Sequence, residues 1–256
     1  MRTRLTPLCL IGLLCAFGAC RASAQVTLQW MVDGETREAI MYAPAARGRP
    51  VPLVLAFHGF GDNMHNFQGV NLHTAWPEAI VVYFQGLERR RGLPGWQVEQ
   101  RDGSDRDLKL VDEALTSLRG EYNIDDDRIY ATGFSNGGMF TYLLWAERPQ
   151  VFAAYAPVAA RLRPSVRPTQ PRPIFHVAGQ RDRQVDFVDQ TAAIDIAISA
   201  NDVRGTTTPC GDGCTIHGPG TSAPVMAWIH AGSHVYPRET SERIVAFFRD
   251  HARTNH

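Results

Sequence analysis

The sequence predicts an α/β fold, a mostly parallel central sheet with helices on both faces. Three observations carry that prediction. Short apolar runs alternate along the chain with stretches of helical periodicity. Two of the runs, Val51–Phe57 and residues 79–84, are nearly unbroken, as strands buried on both faces are. A Gly-x-Ser-x-Gly pentapeptide at 133–137 stands between another apolar run and a helix, a strand–turn–helix context.

Residues 26–31 alternate, Asp33-Gly34 is a hairpin turn signal, and residues 37–42 continue as the second strand. Val51–Phe57 runs into the turn His58-Gly59-Phe60-Gly61-Asp62. Residues 79–84 form the next strand, and 85–103 read as a long loop around Trp96. A helix is expected over 105–118, because Leu108, Val111, Leu115 and Leu118 share one face and Ser104 can cap it. Strands follow at 128–133, 152–158, 174–178 and 225–229. Helices are expected over 135–148, 186–200 and 241–249. Prolines 164, 168, 171 and 173 mark a rigid connection too short for an inserted helical cap domain. Residues 25–256 therefore read as one domain.

The chain has 256 residues and balanced charge, 26 basic against 26 acidic side chains, with Lys109 its one lysine. That balance gives no electrostatic case for a nucleic-acid or polybasic membrane partner. Residues 1–24 read as a secretory signal: Arg2 and Arg4, an apolar run over 8–19, then the small-residue site Ala22-Ser23-Ala24. Cleavage is expected after Ala24, giving a secreted or periplasmic protein. Lipidation at Cys20, in Phe17-Gly18-Ala19-Cys20, is the alternative. No other segment is long and apolar enough for a membrane helix. Export leaves two of the five cysteines, Cys210 and Cys214. In an oxidising compartment they are expected to pair and stiffen the loop 209–220. A metal site with His217 is the rival, but its spacing is poor and a fourth ligand is missing. Removal of residues 1–24 also leaves 23 basic against 26 acidic groups, so the neutrality belongs to the precursor.

The pentapeptide makes Ser135 a candidate nucleophile, since glycines permit the tight turn that exposes its hydroxyl. A serine needs a base to take its proton. Of nine histidines, His234 follows the last strand and precedes the last helix, a loop at the carboxyl end of the sheet. His230 is the nearer rival, while His176 lies inside a strand as a core residue. The acid that orients the base is expected at Asp182, just after the strand 174–178; Asp186 is the fallback. Two backbone N–H groups should face the developing oxyanion, those of Asn136 and Phe60. His58 is expected to organise the turn.

The order Ser135, Asp182, His234 is that of α/β-hydrolases. The chain resembles the bacterial polyhydroxybutyrate-depolymerase-like and feruloyl-esterase-like members of that fold. The resemblance lies in residues 55–62, in 126–139 most specifically, in His176-Val177-Ala178-Gly179 with Asp182, and in 232–237. The family often carries Gly-Gly-Gly-His-x-Trp-Pro at the histidine; here Ala231, Ser233 and Tyr236 depart from it. The resemblance implies an α/β-hydrolase fold and carboxylic-ester hydrolysis through an acyl-enzyme, with no metal or organic cofactor. It carries Trp96 over as a substrate contact, with a buried core tryptophan as the equal alternative. Three substrate classes compete: polyhydroxyalkanoate oligomers, feruloyl or other aryl esters, and acetyl esters of polysaccharide. A non-catalytic binding protein on the same fold is the alternative from another class.

Overall fold

The computed structural model describes residues 24–44, 48–100 and 105–253. The expected signal up to residue 23, with Cys20, and the expected helix cap Ser104 lie outside these residues. Among the described residues twelve strands and six α-helices follow one another. They are β1 (Ala24–Val32), β2 (Glu35–Ala43), β3 (Val51–Phe57), α1 (Met64–Phe67), α2 (Leu72–Ala75), β4 (Ile80–Phe84), β5 (Leu87–Glu88) and β6 (Pro94–Gly95). Then come α3 (Arg106–Glu121), β7 (Ile124–Phe134), α4 (Asn136–Glu147), β8 (Ala154–Val158), β9 (Ile174–Gly179) and α5 (Phe187–Ala200). The chain ends with β10 (Thr207–Pro209), β11 (Cys214–His217), β12 (Val225–His230) and α6 (Thr240–Arg249).

Ten strands form one sheet in the order β1-β2-β4-β3-β7-β8-β9-β12-β11-β10. From β4 to β12 in that order every pairing is parallel. The hairpins β1–β2 and β10–β11 add antiparallel margins. Asp33 and Gly34 both take positive φ, 52° and 83°, the primed turn that Asp-Gly favours. β4, β8 and β9 are buried along their whole length, which their continuous apolar sequences require.

Two apolar layers sandwich the sheet. Leu108, Val111 and Leu115 of α3, Phe140 of α4 and Ile194 of α5 pack one face. Met64 of α1, Leu72 of α2, and Ile244 and Phe248 of α6 pack the other. No helix joins β8 to β9, as the prolines there predict.

Two loops proved more ordered than the sequence suggests. Within 85–103, β5 and β6 pair as a short antiparallel ladder. Within 209–220, β11 pairs with β12 and with β10, carrying the sheet to its edge. These strands are short and rich in threonine, so they show no apolar alternation. The helices α1 and α2 are single turns, too short for any periodicity to register. One buried ion pair anchors the loop before α3: Arg37 Nη2 meets Asp107 Oδ1 at 2.7 Å. Asp107 Oδ2 also accepts the Gln97 N–H at 2.7 Å, and Gln97 Oε1 accepts the Asp107 N–H at 2.9 Å. Buried charges persist only when paired in this way.

Candidate active site

Ser135 sits between β7 and α4 with φ 54° and ψ −113°, a conformation that side chains rarely adopt. Close packing enforces it. A Cβ on Gly137 would lie 2.1 Å from Phe57 O and 2.6 Å from His58 O. A Cβ on Gly133 would lie 2.4 Å from the Gly137 carbonyl carbon. The backbone of the turn is thus in contact with β3, and only glycine fits at either position. The Ser135 N–H donates to Val158 O at 2.8 Å, tying the turn to β8 as well.

The hydroxyl meets the expected base. His234 Nε2 lies 2.9 Å from Ser135 Oγ, and His234 Nδ1 lies 2.7 Å from Asp182 Oδ2. Asp182 is the carboxylate that meets the imidazole, and its side chain is fully buried. Its Oδ1 accepts the N–H groups of Gln184 (2.9 Å) and Val185 (3.0 Å), and its Oδ2 also accepts Gln190 Nε2 at 3.0 Å. Asp186, the fallback, stands instead at the N-cap of α5. His230 ends β12, where its Nδ1 accepts the Gly232 N–H at 3.0 Å. His176 is wholly buried inside β9 as expected, and burial pushes its pKa down to about 3. Arg181 braces the histidine loop: its Nε donates to Ala231 O at 2.6 Å.

The turn after β3 lies alongside the serine. A Cβ on Gly59 would be 3.7 Å from Ser135 Cβ, and Phe60 is the next residue. Asn136 opens α4, where backbone N–H groups have no acceptor within the helix. Its side chain is committed elsewhere, since Oδ1 accepts the Trp96 N–H at 2.7 Å and Nδ2 donates to Trp96 O at 3.1 Å. His58 organises the turn as expected. Its Nε2 accepts the Gly86 N–H at 3.0 Å, so Nδ1 carries the hydrogen and donates to Gly59 O at 2.6 Å. Burial pushes the His58 pKa down, which keeps it neutral for this role.

Trp96 corrects the sequence reading. Its side chain is fully buried, so it cannot touch a bound ester. The indole stacks on Phe140 with centroids 5.6 Å apart, meets Phe57 edge-on, and donates to His58 O at 2.9 Å. It is a wedge beneath the turn. A Gly–Trp pair in a loop does not distinguish that from a cleft wall. Cys210 and Cys214 are joined in a disulfide, so neither sulfur is free to hold a metal with His217.

A buried acid, an imidazole and a serine hydroxyl in hydrogen-bonded series, at the carboxyl ends of a mostly parallel sheet, define the α/β-hydrolase class. No family model matches the chain. It is 34% identical over 163 residues to a bifunctional acetylxylan esterase/xylanase of Neocallimastix patriciarum, covering 60% of this chain and 23% of that one. Feruloyl esterase B of Neurospora crassa is 27% identical over 158 residues, 58% of this chain and 53% of that one. Poly(3-hydroxyalkanoate) depolymerase C of Paucimonas lemoignei is 24% identical over 127 residues, 46% and 30% of the two chains. The chain thus spans about a quarter to a half of the curated relatives it matches. Among solved structures, a thermostable esterase superposes with TM-score 0.67 at 17% identity, over 90% of this chain and 63% of that one. The acetyl xylan esterase from Aspergillus awamori superposes with TM-score 0.64 at 14% identity, over 88% and 99%. The chain thus has the α/β-hydrolase fold and is similar in sequence to esterases that share it.

Proposed function

We propose that the chain is an exported serine carboxylesterase acting on polyhydroxyalkanoate oligomers or on feruloyl and related aryl esters. The observation that carries this is the placement of His234 between Ser135 Oγ and Asp182 Oδ2, at 2.9 and 2.7 Å. His234 takes the Ser135 proton as the oxygen attacks the ester carbonyl. The N–H groups of Asn136 and Phe60 hold the oxyanion, and Asp182 stabilises the imidazolium. The imidazolium then protonates the departing alcohol. Water, deprotonated by His234, releases the acid and restores the serine. The relatives named for feruloyl esters and polyhydroxyalkanoates support the substrate class. Those named for acetylxylan support a second reading, deacetylation of polysaccharide. Export rests on the charged, apolar and small-residue pattern of residues 1–24.

Purified protein should be assayed on p-nitrophenyl esters of rising acyl length, methyl ferulate, acetylated xylan and hydroxybutyrate oligomers. Turnover of ferulate or hydroxybutyrate substrates above acetylated xylan is the expected result, and the reverse order favours deacetylation. Ser135→Ala should lower kcat by a factor on the order of 10⁶. No turnover of any ester would mean a binding protein on a hydrolase fold.

A further inference from the structure

Behind Asp182 a second line of buried polar side chains runs into the core. Gln190 on α5 commits both amide hydrogens, donating from Nε2 to Asp182 Oδ2 at 3.0 Å and to Val185 O at 2.7 Å. Its Oε1 is buried and finds no hydrogen-bond partner among the described residues. The same holds for Nε2 of His176 on β9. The other ring nitrogen, Nδ1, lies 2.6 Å from the hydroxyl of Tyr142 on α4. Gln190, His176 and Tyr142 are 0%, 0% and 1% exposed, so bulk water reaches none of them. Gln190 is also the side chain whose hydrogen bonding bears on the His176 ring.

One orientation of these groups sets no like pair face to face. Asp182 as a carboxylate only accepts, so Gln190 must turn its amide nitrogen toward it. Oε1 is then left as an acceptor, and a hydrogen on His176 Nε2 is the complementary donor nearby. Nδ1 is then an acceptor, and the Tyr142 O–H donates to it. Burial pushes the Tyr142 phenol far above its ordinary range and the His176 ring well below its own, so both stay neutral. Any flip of the amide or change of tautomer would set two acceptors or two donors face to face.

We propose that Tyr142, His176 and Gln190 form a one-way chain of donors that fixes the Asp182 carboxylate on His234, and so are positioning residues for ester hydrolysis. This rests on the esterase reading above. The chain has a physical reason to exist. The N–H groups of Gln184 and Val185 hold only Oδ1, which leaves the carboxylate free to swing about that oxygen. Gln190 is the contact from outside the site that fixes Oδ2, the oxygen facing His234.

The test is a double-mutant cycle on p-nitrophenyl acetate turnover, with imidazole proton spectra of the same folded variants. Gln190→Met should lower kcat about tenfold at unchanged KM. Tyr142→Phe should lower it about two- to threefold, and the double variant should match Gln190→Met alone. In an Asp182→Ala background Gln190→Met should change nothing further. In both single variants the low-field resonance of the His234 Nδ1–H should move. Equal loss with and without the Asp182 carboxyl, additive single effects, or an unmoved resonance would each overturn the proposal. If Gln190→Met does not fold, Tyr142→Phe carries both readouts. A wild-type chain that cleaves no ester yet shows the spectral shifts would sink the esterase reading and leave the donor chain standing.

Discussion

Ser135 and His234 share a hydrogen bond but stand on loops built in opposite ways. The serine turn is walled by backbone: β3 carbonyls press on Gly137, and Gly133 touches Gly137. Residues 136–138 are buried. The histidine loop, residues 231–237, alternates between exposed and half-buried positions. Hydrogen bonds hold it: Arg181 N–H to Gly232 O at 2.9 Å, Arg181 Nε to Ala231 O, and Gly232 N–H to His230 Nδ1. One loop excludes alternatives by volume, the other by polar contacts. A methyl added at a glycine should therefore cost far more stability in the first loop than in the second.

After the loss of the Ser135 hydroxyl itself, the largest expected effect is also catalytic. Asp182→Asn leaves the packing intact but presents the wrong group to the imidazole, and kcat should fall about 10⁴-fold. Asp186→Asn should leave kcat within about twofold, because Asp186 only precedes α5. A severe loss at Asp186 with a mild one at Asp182 would reverse the acid assignment.

Gly137→Ala should come next, and as instability. Its new methyl meets two carbonyl oxygens rather than a movable side chain. A cost of about 3 kcal/mol or more is expected, a fall in melting midpoint on the order of 10 °C. An unchanged midpoint would show that the serine turn yields, and would erase the contrast between the loops.

A third expectation separates the two sides by pH. Each has a buried neutral histidine, His58 under the serine turn and His176 behind the acid, and burial lowers both pKa values. His176 goes to about 3, whereas a histidine in an unfolded chain titrates near 6.5. Below that pH the unfolded chain takes up a proton that the folded chain refuses. Stability should therefore fall as pH drops from about 6.5 toward about 3, by about 1.4 kcal/mol per unit for His176. Chemical denaturation at pH 7 and pH 5 reads this directly. His176→Phe should flatten the slope, and an equally steep slope in that variant would assign the acid sensitivity elsewhere.

The smallest effect is expected at Gly232→Ala. There the new methyl would lie 2.7 Å from His230 Nδ1, an atom of a side chain that can turn away. Stability should change by less than about 1 kcal/mol, measured by the same denaturation. A collapse matching that of Gly137→Ala would show that both loops are walled alike.

The sheet and the hydrogen-bonded series Ser135–His234–Asp182 were legible because both leave local marks. Buried strands such as Val51–Phe57 are apolar without interruption, and their ends coincide with the observed β3. Ser135, Asp182 and His234 each follow a strand, so position relative to the sheet singles them out among many serines, acids and histidines. What could not be read depends on contacts distant in sequence. Trp96 lies beneath the turn with its backbone gripped by Asn136, forty residues later. Gln190 is one polar residue on a helix, and nothing local says that it faces a carboxylate eight residues earlier. Strands β10 and β11 are ordered by a neighbour, β12, rather than by their own pattern.

The two margins of the sheet also differ as templates for growth. Among the described residues β1 is a long strand paired on one side only, with Met31 largely exposed. β10 offers three residues, the last of them Pro209, which has no N–H to give, with the Cys210–Cys214 bridge directly beyond it. A partly folded copy of the chain seeking a strand to zip onto would find almost no ladder at β10. Protection against self-association is thus concentrated at one margin, and the hairpin that the sequence presents as a loop is the stopper that provides it.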